Sequence, residues 1–450
     1  MPVYNIKDKK ILVLGGALSG LSAALKAYEA GAHVTVNDLK EITLPDNLKD
    51  KVNIVCGSHP QELLDSQDII ILSPGVPPLD VVKNAQKKGV EVIGEVEFTL
   101  RFTDAKIAAI TGTNGKSTTV SLLGDILNCM APNVFTGGNL GTPFSQTIGT
   151  DLAKADALVS LELSSFQLET ITSLKADVVA LLNLQEDHLD RYATFDEYVE
   201  AKLRIFKGLS DHGVAVVNAD DDLVMKYARE SGVKLTTFSV EGRPADFYRQ
   251  GEKLVFGPYD FHLPVNIINL PGRHNQANVL AAVGCALHMG AKSSEIMKAV
   301  SEFRGLEHRM QFSGELSGVK FYNDSKATNI GSVAGSLGGF EGRYALILGG
   351  RHKGTPYTSL KDVLLPNCRL IVAIGESADL IENDLGACIP LKRSKTMAQA
   401  IKIAFEAVKS GENVILSPAC SSYDMFKNYV ERGNTFMDCV KDLINQNRIQ

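Results

Sequence analysis

The chain has 450 residues, 44% of them hydrophobic and 22% charged, the balance of a soluble globular protein and enough length for about two to four domains. A formal net charge of -6 argues against a nucleic-acid or anionic-membrane surface as the main partner. The seven cysteines are scattered with no C-x-x-C pair, which implies neither a zinc knuckle nor a disulfide framework and suits a reducing compartment.

The opening MPVYNIKDKK has no apolar core of a signal peptide, and no apolar run approaches the ~18 residues of a membrane span, so a cytoplasmic location is expected. KILVLGG, starting at Lys10, is a continuous apolar run of the kind a strand buried on both faces requires. ALSGLSAALKAYEAGA follows at helical spacing with Gly31 as a stop, and HVTVND, DIIILSPG and VEVIGE read as further strands. Strands alternating with helices predict a doubly wound sheet over residues 1–97. Its first loop, Gly15 to Gly20, is a damaged G-x-G-x-x-G with Ala17 at the second glycine position. A methyl there blocks the close approach of a dinucleotide pyrophosphate, although Asp38 stands where such proteins read a ribose. The loop therefore suits another diphosphate-bearing ligand, with NAD or a purely structural turn as the alternatives.

A second unit, 98–305, opens with KIAAITGTNGKSTTVSLLGDIL, again strand, tight loop and helix. TGTNGKSTT, Thr111 to Thr119, resembles a phosphate-cradling loop, but Ile110 occupies the place of the usual first glycine. Gly112 and Gly115 let successive N–H groups around Thr113 and Asn114 converge on an anion; Lys116 can reach outer phosphates, and Ser117 offers a hydroxyl to Mg2+. Thr118 and Thr119 open a helix whose N-terminus favours negative charge. Glu162 ends the strand ADALVSLE, where an acid can hold Mg2+ beside a phosphate loop or simply cap the next helix. His188 follows another strand end among Glu186, Asp187 and Asp190, placing it for metal or phosphate work, or on the surface. Strands ADVVALLNL and GVAVVNADD and a helix around Val279–Ala286 complete this unit.

The third unit, 306–450, carries four strand-like runs ending in NDSKATN, GGRHKG, GES and SPACSSYDMFKNY. Lys326 and Lys353 with Thr328 and Ser422 can converge on a small dicarboxylate, against the ordinary reading of loop lysines as solvated. The fold class expected from these patterns is α/β with three domains: Rossmann-like, a central P-loop-type ATPase with a parallel sheet, and Rossmann-like again.

Together TGTNGKSTT, ELSSFQLE, EDHLDRY, GRHNQAN, NDSKATN and SPACSSYDMFKNYVERGN resemble the Mur ligases, which build the peptide stem of bacterial peptidoglycan. The resemblance runs along essentially the whole chain; the phosphate loop alone would also fit folylpolyglutamate synthase. It implies an ATP-dependent amide ligase that, from the third-unit motifs, adds D-glutamate to UDP-N-acetylmuramoyl-L-alanine through an acyl phosphate. For ATP it adds Asn275, Asn278, Arg309 and Asp324 to Gly112–Thr118. For the UDP substrate it implies Leu18, Ser19, Asp38, Lys40, Ser73, Pro74, Gly75, Asn139 and His188, and for D-glutamate Lys326, Thr328, Lys353, Ser422 and Tyr429. Ser117, Glu162, His188 and a carbamylated Lys202 would hold two Mg2+ ions, with Lys116, His188 and Lys202 catalytic; an ordinary ion-paired Lys202 is the alternative. A monomer without nucleic-acid or membrane partners is expected. Two rivals stay open, an NAD-dependent oxidoreductase resting on the first loop and Asp38, and a non-catalytic nucleotide switch.

Overall fold

The computed structural model describes residues 4–188, 191–270, 272–338, 340–352 and 354–448. Its backbone forms three sheets in chain order, distributed over two compact units: residues 1–268 with 275–303, and residues 269–274 with 304–450.

In the first unit, β1 (Lys10–Leu14), β2 (His33–Asp38), β3 (Asn53–Cys56), β4 (Ile69–Leu72) and β5 (Glu91–Gly94) form a parallel sheet in the order β3-β2-β1-β4-β5. Ile11 to Leu14 and Ile69 to Ile71 are fully buried, as continuous apolar runs between two helical layers must be. The strand order reverses between β1 and β4, so the crevice at their carboxyl ends is the natural ligand position of such a sheet. β3 was not anticipated from sequence: it is an edge strand whose residues are mostly exposed, and no apolar run marks it.

The second sheet of this unit comprises β6 (Lys106–Thr111), β7 (Val134–Gly138), β8 (Leu158–Glu162), β9 (Ala176–Leu181), β10 (Leu209–Asn218), β11 (Leu235–Ser239), β12 (Phe247–Gln250), β13 (Lys253–Phe256) and β14 (Phe261–Pro264). Their order is β14-β13-β12-β11-β10-β9-β6-β8-β7. β6 to β12 pair in parallel, whereas β13 pairs antiparallel with β12 and β14. The sheet is thus mixed rather than purely parallel. Only Gly251 and Glu252 separate β12 from β13, and a two-residue link can join only antiparallel strands. β6 sits centrally between β8 and β9, which delivers the loop after it to the middle of the sheet's carboxyl edge.

The second unit carries β15 (Gln311–Leu316), β16 (Val319–Asn323), β17 (Tyr344–Gly349), β18 (Cys368–Ile374), β19 (Leu391–Arg393) and β20 (Asn413–Leu416), in the order β15-β16-β20-β17-β18-β19. All pairs are parallel except β15 with β16, joined through the tight turn at Ser317 and Gly318. Among the described residues, no helix is long and apolar enough to cross a membrane.

Candidate functional site

The question raised by Ile110 is answered by β6. Ile110 is fully buried and registers with Glu162 of β8 and Ala180 of β9, so the strand continues where other phosphate loops already turn. The turn begins at Gly112 instead and closes at Gly115, which caps the helix Lys116–Met130 at φ 83°. Gly115 is required twice over, because a side chain is strained at that φ and a Cβ would lie 2.3 Å from Asn278 Oδ1. Between the glycines, the Thr113 N–H donates to Asn183 O (3.0 Å) and the Asn114 N–H to Asn183 Oδ1 (2.7 Å). Thr113 Oγ1 shares a 3.1 Å hydrogen bond with the Tyr198 hydroxyl. The loop is therefore held from both sides by the segment after β9 and by the helix Phe195–Lys207.

Lys116 Nζ donates to the carbonyls of Gly112 and Thr113, both at 2.8 Å, and Lys202 Nζ donates to the same Gly112 carbonyl at 2.8 Å. Lys202 is only 2% exposed and lies 4.7 Å from the Tyr198 ring centre. Burial first, and then the neighbouring Lys116 charge, push its amine well below the usual lysine range, against the opposing pull of Asp187 and Glu162. Among the described residues, no carboxylate is hydrogen-bonded to Lys202; Asp187 and Glu162 act on it only through their charge.

Glu162 closes β8 beside this pair of amines. Its Oε1 accepts from Asn139 Nδ2 at 2.8 Å, while Oε2 is buried with no hydrogen-bond partner. It does not cap the next helix, since Ser164 does so in a capping box with Gln167. A buried carboxylate oxygen without a donor is costly unless a cation meets it. With the Ser117 hydroxyl also buried in the first helical turn, the residues fit a hard, oxygen-seeking ion such as Mg2+. His188 adopts a left-handed backbone (φ 55°), its ring 4.8 Å from Phe166 and its Nε2 3.7 Å from Asp187 Oδ2. Asn275 and Asn278 sit one turn apart on the helix Arg273–His288 and are hydrogen-bonded to each other at 3.3 Å; Asn278 also meets Thr119 Oγ1 at 3.5 Å. Asn278 thus reaches the phosphate loop from a helix more than 150 residues downstream.

At the β1–β4 crevice, Ser73 Oγ donates to Gly15 O at 2.9 Å. Gly20 is the close-approach glycine here: a Cβ would lie 1.9 Å from Gly15 O and 2.5 Å from Ser73 Oγ. Asp38 accepts from the Lys40 N–H (2.9 Å) and the Gly16 N–H (2.8 Å), which hold its carboxyl below the usual range. The carboxylate is occupied in tying the loop together. Leu18 and Lys40 are exposed, Ser19 half-buried, and Pro74 and Gly75 continue the turn from Ser73.

The second unit gathers its own set. Asp324 is buried, accepting from Ser417 Oγ (2.7 Å) and the Met310 N–H (3.2 Å), and desolvation pushes its carboxyl up to about 6. Arg309 beside it has a buried Nε without a hydrogen-bond partner and lowers that value in turn. The Lys326 ammonium lies 5.9 Å from the Tyr429 ring centre, and the Thr328 N–H donates to Lys326 O at 2.9 Å. Ser422 is buried in the loop after β20. Lys353 lies outside the described residues.

Four residues of these sites escaped sequence reasoning. Asn183, Gln185 and Tyr198 hold the phosphate loop; Arg432 holds the second unit's loops. Arg432, 1% exposed, donates from Nε to Ser325 Oγ (2.9 Å), and from its terminal nitrogens to Ser325 O (2.8 Å) and Cys420 O (3.1 Å). It staples the loop bearing Lys326 to the loop bearing Ser422, and burial lowers its guanidinium to about 10. Within NYVERGN, a charged residue at a buried helical position was the only available signal.

Fold and site together define a multi-domain α/β protein built around a phosphate loop. Three family models match along it: "Mur ligase MurD-like, N-terminal domain" over residues 9–94, "Mur ligase middle domain" over 110–286 and "Mur ligase, glutamate ligase domain" over 308–420. The chain belongs to the Mur ligase family. It is 37% identical to the UDP-N-acetylmuramoylalanine–D-glutamate ligase of Koribacter versatilis, covering 99% of this chain and 100% of that one. It is 41% identical to the protein of the same name from Geotalea daltonii, covering 98% of each. Among solved structures, MurC of Thermotoga maritima superposes with a TM-score of 0.60 at 18% identity (97% of this chain, 100% of that one). The ADP complex of MurF from the same organism gives 0.59 at 16% identity (98% and 96%). At such identities these two structures speak to the fold alone.

Proposed function

We propose that this chain is an ATP-dependent amide ligase that joins D-glutamate to UDP-N-acetylmuramoyl-L-alanine, releasing ADP and phosphate. The observation that carries the reading is the convergence on one loop of a glycine-hinged phosphate cradle, two lysines on the Gly112 carbonyl, and a strand-end carboxylate with an unpartnered oxygen. Full-length relatives at 37% and 41% identity carrying that activity in their names support the substrate assignment.

In this reading the loop from Gly112 to Thr118, with Asn275 and Asn278, grips the polyphosphate of ATP. The N–H groups at the N-terminus of the helix Lys116–Met130 stabilise its charge, because those of Thr113 and Asn114, expected from sequence to face the anion, are spent on Asn183. Lys116 leaves the loop carbonyls for the phosphoryl oxygens as the γ-phosphate transfers to the substrate carboxylate. The acyl phosphate so formed turns a poor leaving group into phosphate. The D-glutamate amine then attacks the acyl carbon, and the tetrahedral intermediate collapses to the amide. Ser117, Glu162 and His188, with a modified Lys202, would hold Mg2+, which would supply charge neutralisation on the transferring group. Leu18, Ser19, Asp38, Lys40, Ser73, Pro74 and Gly75 receive the uridine end of the UDP substrate at the β1–β4 crevice, and Asn139, which holds Glu162, serves its inner part with His188. In the second unit, Arg309 and Asp324 are assigned to ATP, and Lys326, Thr328, Lys353, Ser422 and the Tyr429 region to D-glutamate.

Lys202 is the residue on which the chemistry turns. An amine pushed toward its neutral form by burial is nucleophilic toward CO2, and the product carbamate is an anion that can share Lys116 and a metal ion. A bare ammonium there would repel the same ion. Phosphate release measured with UDP-N-acetylmuramoyl-L-alanine and either D- or L-glutamate tests the reading; release with D-glutamate alone is expected, and release with neither contradicts it. The enzyme is expected to work as a cytoplasmic monomer.

A further inference from the structure

Arg191 follows His188 in the EDHLDRY stretch. The Arg191 and Tyr192 N–H groups both donate to His188 O, at 3.0 and 3.1 Å, so the backbone that carries His188 closes a turn on Arg191. The Arg191 guanidinium then reaches in two directions. It lies 3.9 Å over the Phe166 ring, which meets the His188 ring edge-on at 4.8 Å, and one terminal nitrogen pairs with Glu169 Oε2 at 3.2 Å. Glu169 is fixed in turn by the Tyr192 hydroxyl at 2.5 Å. The other terminal nitrogen donates to Val76 O at 3.3 Å, 115 residues earlier in the chain. Val76 closes the Ser73–Pro74–Gly75 turn, its N–H donating to Ser73 O at 3.0 Å. Its side chain also abuts the first glycine loop, since a Cβ at Gly15 would lie 2.9 Å from Val76 Cγ2.

One guanidinium therefore ties the turn at the β1–β4 crevice to the backbone and ring platform of His188. Two features separate it from an ordinary ion pair. The bridge needs a planar fork, which lysine lacks. Its Nε is buried with no hydrogen-bond partner, a cost that a lysine paired with Glu169 would not carry. The helix Glu95–Leu100, which follows the first sheet, is fastened to the central one independently of Arg191. Buried Glu97 accepts the Thr172 and Ser173 N–H groups at 2.8 and 2.9 Å, and buried Glu95 accepts the Ser145 N–H at 2.5 Å.

We propose that Arg191 is a positioning residue that sets the span between the β1–β4 crevice and His188, fitting the protein to one substrate gripped at both ends. In the ligase reading, on which this rests, UDP-N-acetylmuramoyl-L-alanine lies with its uridine end at that crevice and its inner part at Asn139 and His188. A ligand that touches one end is indifferent to the span. One that touches both loses affinity and alignment when the span slackens.

Two variants of the full chain test this. Arg191→Met keeps the stem over Phe166 and removes every donor, whereas Arg191→Lys keeps a cation for Glu169 but cannot also hold Val76 O. In the Met variant the calorimetric affinity for UDP-N-acetylmuramoyl-L-alanine should fall about tenfold, and kcat/KM for that substrate in phosphate release about 100-fold. The Lys variant should stay within about threefold of the Met variant. Affinities for Mg·ATP by calorimetry and for UDP alone by ligand-observed NMR should change by less than about twofold. Undiminished affinity and kcat/KM for the two-ended substrate in a folded Met variant would overturn the proposal. So would full activity of the Lys variant, which decides the matter if the Met variant does not fold, or equal weakening of UDP, Mg·ATP and the two-ended substrate. A natural chain that neither binds nor turns over UDP-N-acetylmuramoyl-L-alanine would instead refute the ligase reading, and the proposal with it.

Discussion

Replacing Glu95 by Gln changes the stability of the first unit in a pH-dependent way whose size follows from the structure. Burial raises the Glu95 carboxyl from its ordinary 4.5 to about 6, opposed by hydrogen bonds from Ser145. A raised value means that the folded chain holds this proton more tightly than the unfolded chain. Lowering the pH therefore favours the fold, and the advantage is lost as pH rises through the window from 4.5 to about 6. One pKa unit corresponds to ~1.4 kcal/mol, so a shift of about 1.5 units makes the ionised group unfavourable by about 2 kcal/mol above that window. Gln imitates the protonated form at every pH. Compared with the natural chain, Glu95→Gln should therefore gain about 2 kcal/mol between about pH 4 and about pH 8. Urea unfolding of both proteins at the two pH values, followed by circular dichroism, gives this double difference directly. A difference near zero would mean that the hydrogen bonds from Ser145 fully offset the burial of the Glu95 carboxylate, and the desolvation argument would fail.

Three further outcomes are expected. Gly115→Ala forces a side chain into a left-handed φ and against Asn278 Oδ1, which should cost about 1–2 kcal/mol in unfolding experiments and weaken ATP in calorimetry. Arg432→Lys cannot bridge Ser325 and Cys420 together. It should raise the KM for D-glutamate about tenfold or more in phosphate-release kinetics while leaving the ATP affinity unchanged. Lys202→Met keeps the buried volume but removes the amine; turnover should fall by on the order of 100-fold or more. The mass increment and 13C signal of a carbamate seen with labelled CO2 in the natural chain should be absent from the variant.

The sequence was most legible where physics is local. β1, β4, β6, β8, β9, β17 and β18 are buried apolar runs bounded by small or polar residues, and their burial in the fold follows from that pattern. The phosphate loop was readable for the same reason, since glycines, lysine and hydroxyls lie within nine consecutive positions. Edge strands β3 and β19 carry mixed, largely exposed residues and left no such trace. Neither did the antiparallel hairpins β12–β14, whose short strands resemble loops in composition. Long-range supports were equally silent. Nothing in the local pattern of Tyr198 or Asn183 announces a contact with Thr113 or Asn114 some 70 to 85 residues earlier. Ile110 was an apparent defect only because the strand's extra length could not be seen before its partners Glu162 and Ala180 were known.

The central claim is that the loop around Lys116 binds the nucleotide that drives the ligation. Calorimetric titration of Mg·ATP into the natural chain and into Lys116→Ala, with circular dichroism to show that both are folded, tests it most directly. The account predicts magnesium-dependent binding at one site in the natural chain and its loss, together with ADP formation, in the variant. Equal binding and turnover by the two proteins would contradict it.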